Sequence, residues 1–252
     1  MPNIKLVIEY DGSRYHGWQR QPNVPTVQGA IEKAVAAIAK EFSAVTGAGR
    51  TDAGVHAEGQ VAHFATKARL RPNDWQRALN SLLPEDIVIR SAQKVSNRFH
   101  ARFSAAGKIY RYRILNRRHS PAIGRQYIWT VYSPLNIRRM RSASIAFLGE
   151  HDFRSFQGTD KSADQNGKTG RTSICTIRRL DLSRKREELT ITIEADRFLQ
   201  QMVRTIVGTL VEVGRGKRDP GEMKSLLQKK DRRLAGPTAP PQGLCLVKVI
   251  YK

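Results

Sequence analysis

The 252-residue chain has only two cysteines, Cys175 and Cys245. Two thiols cannot build a disulfide framework or a four-cysteine metal site. They read as small apolar residues in a reducing compartment, so a cytoplasmic setting is expected. Long apolar runs are missing too: no stretch approaches the roughly 20 residues that a membrane helix needs. The opening Met1-Pro2-Asn3-Ile4-Lys5 lacks the charged-then-apolar order of a secretion signal. Secreted, disulfide-rich and membrane-spanning classes are therefore not expected. Acids are scarce as well: 22 Asp and Glu face 44 Lys and Arg, a formal charge of +22. Of the 44 cations, 29 are Arg. The flat five-donor fork of Arg matches phosphate, so the bias favours a polyanionic partner over a merely solvated surface.

The scarcity is concentrated. Residues 87–149 hold no Asp or Glu and 13 Lys or Arg, where an even spread would place about five acids. Aromatic residues are interleaved there: Phe99, Phe103, Tyr110, Tyr112, Tyr127, Trp129 and Tyr132. The stretch still alternates like folded structure, so it is not read as a disordered tail. Cations with stacking rings are what a nucleic-acid cleft needs. A weaker basic run extends from Lys168 to Arg186, with Asp181 its only acid.

Periodicity predicts a strand over 3–10 ending at the Asp11-Gly12 turn, and a helix over 26–41 with Thr26 as N-cap. A short strand near 43–46, a strand over 59–66, a helix over 73–83 and a strand over 86–95 follow. The order is β-α-β-β-α-β. The second half repeats it, with strands over 108–116, 173–182, 188–195 and 244–251. Helices are expected over 136–148, 197–213 and 219–228, and a polar loop over 157–171. The economical reading is an α+β fold of two ferredoxin-like halves with mainly antiparallel sheets meeting at a central basic cleft. The expected domains are 1–102 and 103–252.

Chemistry is densest in Gly47-Ala48-Gly49-Arg50-Thr51-Asp52-Ala53-Gly54-Val55-His56-Ala57. The glycines permit tight turns and close approach of backbone to a ligand. A phosphate-binding P-loop is excluded because no Gly-Lys-Ser/Thr follows, and the spacing is wrong for a dinucleotide fingerprint. What remains is a loop presenting one carboxylate, Asp52, beside one cation, Arg50. A carboxylate so placed can act as nucleophile or base; equally, Asp is common as a turn residue. Asp52, His56 and His63 are spaced so that a metal site is conceivable. The loop breaks the helical geometry, however, and His63 alternates with apolar neighbours in a strand. No metal is expected, and His56 reads as a loop-stabilising hydrogen-bond partner.

Within this loop, Gly49-Arg50-Thr51-Asp52-Ala53-Gly54-Val55-His56 resembles the active-site motif of the tRNA pseudouridine synthase I (TruA) family. Tyr10-Asp11-Gly12 with Tyr15-His16-Gly17-Trp18-Gln19-Arg20-Gln21 resembles the family's amino-terminal signature. Phe99-His100-Ala101-Arg102-Phe103-Ser104-Ala105 resembles its central RNA-contacting segment, and Lys108-Ile109-Tyr110-Arg111-Tyr112 its tyrosine strand. The run from Phe198 to Gly208 resembles its helix with an essential Arg, and Thr238-Ala239-Pro240 with Gly243-Leu244 its closing motif. The resemblance covers essentially the whole chain in order; the 159–170 segment is longer than the family's pattern. It implies an isomerase converting uridine to pseudouridine at positions 38, 39 and 40 of the tRNA anticodon stem-loop, as a homodimer without cofactor. It also implies roles: Asp52 the catalytic carboxylate, Tyr110 stacked on the target uracil, and Arg204 paired with Asp52. Arg50 would fill the space left by the flipped nucleotide, and Leu244 would wall the pocket. Phe99, His100, Ala101, Arg102 and Phe103 would contact RNA.

From the residues alone, Tyr110 and Tyr112 also fit ordinary sheet positions, Leu244 plain core, and Arg204 a surface Arg on a helix. A non-catalytic binder of structured RNA would keep the charge but would not need the Asp52–Tyr110–Arg204 set. A metal-dependent nuclease would need clustered acids that the sequence lacks.

Overall fold

A computed structural model describes residues 3–158 and 173–252 of the chain. Most of the polar stretch expected as a loop over 157–171 lies outside the described residues. The fold is mixed α+β, with mostly antiparallel strands and five α-helices among the described residues. The chain forms two compact units, Met1–Lys108 with Cys245–Lys252, and Ile109–Leu244.

The first unit contains β1 (Asn3–Tyr10), α1 (Val27–Ala39), β2 (Thr46–Gly47), β3 (His56–Ala65), α2 (Pro72–Leu82) and β4 (Ile87–Val95). Strand β1 is central because one of its faces is wholly apolar: Ile4, Leu6, Ile8 and Tyr10 are all buried. It pairs antiparallel with β3 and with β4, placing Leu6 opposite Ala62 and Ala92. Short β2 pairs antiparallel with the far edge of β3. The helices cover the apolar face. Thr26 accepts a hydrogen bond from the Gly29 N–H, capping α1, and Pro72 opens α2. Trp75 from α2 packs edge-on against Phe64 at 5.0 Å. Each such fully buried side chain contributes about 1.5–3 kcal/mol relative to exposure.

The second unit holds the rest of β5 (Ala105–Asn116), then β6 (Trp129–Val131), α3 (Ile137–Ser144), β7 (Gly149–Asp152), β8 (Ile174–Lys185), β9 (Glu188–Ala195), α4 (Met202–Gly214) and α5 (Glu222–Lys229). Its strands run in the order β5-β9-β8-β7, with β6 parallel to the end of β5. Helix α4 is apolar nearly all round and buried, and Phe147, Phe153 and Phe156 form a ring cluster beneath.

Several expectations need correction. The last strand, β10 (Leu244–Tyr251), lies almost entirely in the first unit, although the expected 103–252 domain contains it. It pairs parallel with β3, Cys245 opposite His56 and Leu246 opposite Ala57. A partner so remote in sequence leaves no local signal. The strand expected near 43–46 is only Thr46–Gly47. The helix expected over 136–148 ends at Ser144 and tightens into a 3-10 turn, Ile145–Phe147. The helix expected from 197 starts at Met202, because Gln201 takes a left-handed conformation with φ 57°. Strands β6 and β7 are too short to show a period.

Candidate active site

The Asp52 loop hangs from the amino-terminal signature by its backbone. The Trp18 N–H donates to the Thr51 carbonyl at 3.1 Å, and the Gly54 N–H donates to the Tyr15 carbonyl at 3.3 Å. Gly17, with φ +87°, fits beneath: a Cβ there would stand 2.5 Å from the Thr51 carbonyl oxygen. No other residue type meets both demands without strain. Inside, Tyr10 and Thr51 share a buried hydroxyl–hydroxyl hydrogen bond of 2.8 Å. Burial pushes the Tyr10 hydroxyl well above the ordinary tyrosine range, so it stays protonated at neutral pH. The loop closes on itself through the Val55 N–H and the Asp52 carbonyl at 3.2 Å. His56 fastens the exit: its Nδ1 accepts from the Gly12 N–H at 3.1 Å and lies 3.0 Å from Asp11 Oδ1. This is the loop-stabilising role read from sequence. Asp52 itself is half-buried at the crest.

Arg50 is exposed and steadied by Gln19, whose Oε1 accepts from its Nε at 3.1 Å. Lys108 lies along Gly49, with its ammonium 3.2 Å from where a Cβ would stand. Neither Gln19 nor Lys108 drew a role from the sequence. The glycines signalled that something approaches the loop closely, but not what.

The segment Phe99–Ala105 stands in the same unit as a compact turn. His63 Nδ1 accepts from the Ala101 N–H at 3.1 Å, and Tyr251 donates to the Ala101 carbonyl at 2.7 Å. His100 Nδ1 accepts from the N–H groups of Arg102 and Phe103, both at 3.2 Å. The rings of His100 and Phe103 lie 4.3 Å apart, and the Arg102 guanidinium sits 5.7 Å from the Phe103 ring. Phe103 is 77 % exposed. An aromatic ring held outward beside a guanidinium is the kind of surface on which a planar group can stack. Burial, and secondarily the charge of His100, holds the His63 pKa below the ordinary histidine value. Ala101 is fully buried, so its contribution is backbone position.

In the second unit three signatures meet. On β5, Tyr110, Tyr112 and Ile114 point to the buried face, as alternation predicts. The Tyr110 ring meets Phe198 edge-on at 5.1 Å and 88°. Phe198 belongs to the expected helix by sequence; it stands instead in the irregular lead-in before α4, where its ring meets Tyr110. Arg204 occupies the first turn of α4. Its Nε donates to the Ala239 carbonyl at 2.7 Å, and the Ala239 N–H donates to the Arg204 carbonyl at 3.1 Å. A surface Arg would have no such reciprocal clamp. Gly208, one turn on, accepts the closing segment at contact distance: a Cβ would stand 1.8 Å from the Pro237 carbonyl oxygen. Tyr112 donates to the Pro240 carbonyl at 2.7 Å. Burial drives its hydroxyl far above the usual tyrosine range, against the opposing pull of Arg204. Leu244 is buried, 5 % exposed.

Tyr110, Arg204 and Leu244 thus belong to one unit, and Asp52, Arg50 and Phe99–Phe103 to the other. Among the described residues no three His, Cys, Asp or Glu side chains gather as a metal site. Among them also, no helix is long and apolar enough to cross a membrane.

Comparison with known proteins is consistent across the chain. A family model described as tRNA pseudouridine synthase matches residues 6–104 and 143–252. A protein from Clostridium perfringens named tRNA pseudouridine synthase A 2 is 45 % identical over 251 residues, covering all of both chains. Proteins named tRNA pseudouridine synthase A from a Thermoanaerobacter species and from Coxiella burnetii are 45 % and 46 % identical. The match covers 100 % of this chain in both cases, and 100 % and 94 % of the respective relatives.

Proposed function

Because this chain belongs to the tRNA pseudouridine synthase family, we infer that it is an isomerase converting uridine to pseudouridine in the tRNA anticodon stem-loop. The observation that carries the reading is the full-length similarity joined to the intact Asp52 loop motif. In its finer form the reading targets positions 38, 39 and 40, as the sequence resemblance implies.

The reaction breaks the bond between uracil N1 and ribose and rejoins the sugar to C5. Nothing is oxidised or hydrolysed, so the chemistry needs no redox cofactor. The base must leave its stack, at a cost of a few kcal/mol, and be held while it turns. In our reading Asp52 is the catalytic carboxylate, Arg204 its charge partner, and Tyr110 the ring that stacks on the uracil. Leu244 adds an apolar wall, and Arg50 fills the gap in the helix. Support comes from the local geometry. Asp52 sits on a loop fixed by five backbone or side-chain ties, and Tyr110 and Arg204 are each clamped by a signature remote in sequence. Phe99–Phe103 contacts RNA, with Phe103 presented outward.

The reading extends to two ferredoxin-like halves and the basic cleft that the sequence suggests. The order β4-β1-β3 with β2 on the β3 edge supports it for the first half, and β5-β9-β8 for the second. It extends also to a homodimer acting in the cytoplasm without cofactor, and the two free cysteines suit such a compartment. A non-catalytic RNA binder is the contrasting reading. Incubation with an unmodified anticodon stem-loop, followed by mapping of pseudouridine through its altered chemical reactivity, decides between them. Binding without any pseudouridine would overturn the enzymatic reading.

A further inference from the structure

One end of the second unit gathers cations from separate stretches of chain. The hub is Asn116, at the end of β5. Its N–H donates to the Glu187 carbonyl at 2.8 Å, and its Nδ2 donates to the carbonyls of Val131 and Ser133 at 2.8 and 2.7 Å. These bonds bring the β8–β9 hairpin tip, the start of the loop after β5 and the chain after β6 to one place. Arg184, Lys185 and Arg186 of the tip are exposed, as are Arg118 and Arg215. Arg215 is tethered there through Ser133 Oγ at 2.9 Å. The local acids are few. Glu187 lies 3.4 Å from Arg117, and Glu188 is engaged by Arg113 at 2.7 Å. Lys185 stands across the hairpin from Glu188 and, after Arg113, helps hold that carboxylate below its ordinary range; among the described residues, Arg118 and Arg186 make no ion pair with a carboxylate.

The turn adds an independent observation. Strand β8 ends at Lys185 and β9 begins at Glu188, so Arg186-Glu187 is a two-residue hairpin loop. Arg186 holds φ +55°. Turns of this type favour Asn or Gly at such a position, and a bulky residue there is disfavoured. A cation stands where the backbone favours a smaller residue. This is also the basic run ending at Arg186 that the chemistry of the site leaves unused.

We propose that this end of the second unit binds the phosphate backbone of an RNA duplex lying beyond the anticodon stem-loop of the same tRNA. The proposal rests on the reading that Tyr110 meets the target uracil. Tyr110 and Asn116 lie on one strand six residues apart, about 20 Å at roughly 3.3 Å per residue. Along an A-form RNA duplex that span covers several base-pair steps, which carries the contact out of a short stem-loop. Phosphate rather than protein is the fit because the hairpin tip offers long cations and no large apolar anchor around which a protein interface could close.

The test compares full-length unmodified tRNA with the isolated anticodon stem-loop, using wild type, the triple variant Arg184→Glu/Lys185→Glu/Arg186→Glu, and Arg186→Gly. The triple variant should bind full-length tRNA about tenfold or more weakly and reduce the salt slope by about two to three units. Its affinity for the stem-loop should stay within about twofold of wild type. Arg186→Gly suits the turn, so it keeps the fold while removing one cation; it should weaken only full-length binding, by about two- to threefold. Equal losses on both RNAs, or none on either, overturn the proposal; the second is what a protein partner at this patch would give. If wild type forms no pseudouridine yet the selective loss appears, the isomerase reading fails and the contact surface stands.

Discussion

Asp52 is carried by backbone that is tied on both sides, by Trp18 and Tyr15 before it in sequence and by His56 after it. A side-chain change there should therefore spare the loop. Asp52→Asn and Asp52→Ala are expected to abolish pseudouridine formation, while tRNA affinity measured by filter binding stays within a few-fold. Binding lost in step with activity, in a folded variant, would remove the catalytic role. Tyr110 offers a second separation, because its ring and hydroxyl do different work. Tyr110→Phe should keep substrate binding and the edge contact with Phe198; Tyr110→Ala should weaken base placement. Equal binding losses in the two variants would show that stacking is not what the ring contributes. His63 gives a pH-dependent expectation. Its pKa is lowered in the folded protein, chiefly by burial and then by His100. The unfolded chain therefore takes up the proton first as pH falls below the ordinary value of about 6.5, and stability contributed by His63 is lost in that direction. Wild type should lose more melting temperature than His63→Gln between neutral pH and mildly acidic pH. An equal loss in both would assign the acid sensitivity elsewhere.

Elements with a clear period were legible in the sequence. Alternation located β1, β4, β8 and β9 to within a few residues, and the Thr26 cap fixed the start of α1. The helix carrying Arg204 was visible too, but its start was not, since apolar residues continue through the lead-in Phe198-Leu199. Only the left-handed Gln201 marks the break. The displacement changes the meaning of Arg204, from a polar position mid-helix to a first-turn residue whose guanidinium holds the closing segment. The eight-residue loop motif was legible because glycine, carboxylate and cation crowd it. Lys108 and Phe198 were not, because their contacts join residues far apart in sequence. The α4 packing makes its own prediction. Gly208→Ala would drive a methyl into the Pro237 carbonyl, which is backbone and cannot swing away. Overpacking of this kind costs about 1–3 kcal/mol, readable as a lower denaturation midpoint. It should also lower turnover, because Pro237 leads directly into the Ala239 clamp on Arg204.

At the scale of the whole molecule the excess of 22 positive charges decides how substrate is gathered. The acid-free stretch 87–149 supplies both Arg102, set against the exposed Phe103 ring, and Arg111 on the strand that carries Tyr110. In the proposed reading these cations release counterions from the RNA, and the release has a measurable signature. If about six phosphates are neutralised, log affinity should fall against log salt with a slope of roughly −4 to −5. A single substitution, Arg102→Ala or Arg111→Ala, should flatten that slope by about one unit at most. Asp52→Asn should leave the slope unchanged, because the proposed part of Asp52 is chemistry and not phosphate contact. Titration of fluorescent tRNA across a salt series, for these four proteins, reads all of this at once. A slope near zero for wild type would mean that the charge serves solubility, and that the RNA is held by stacking and shape instead.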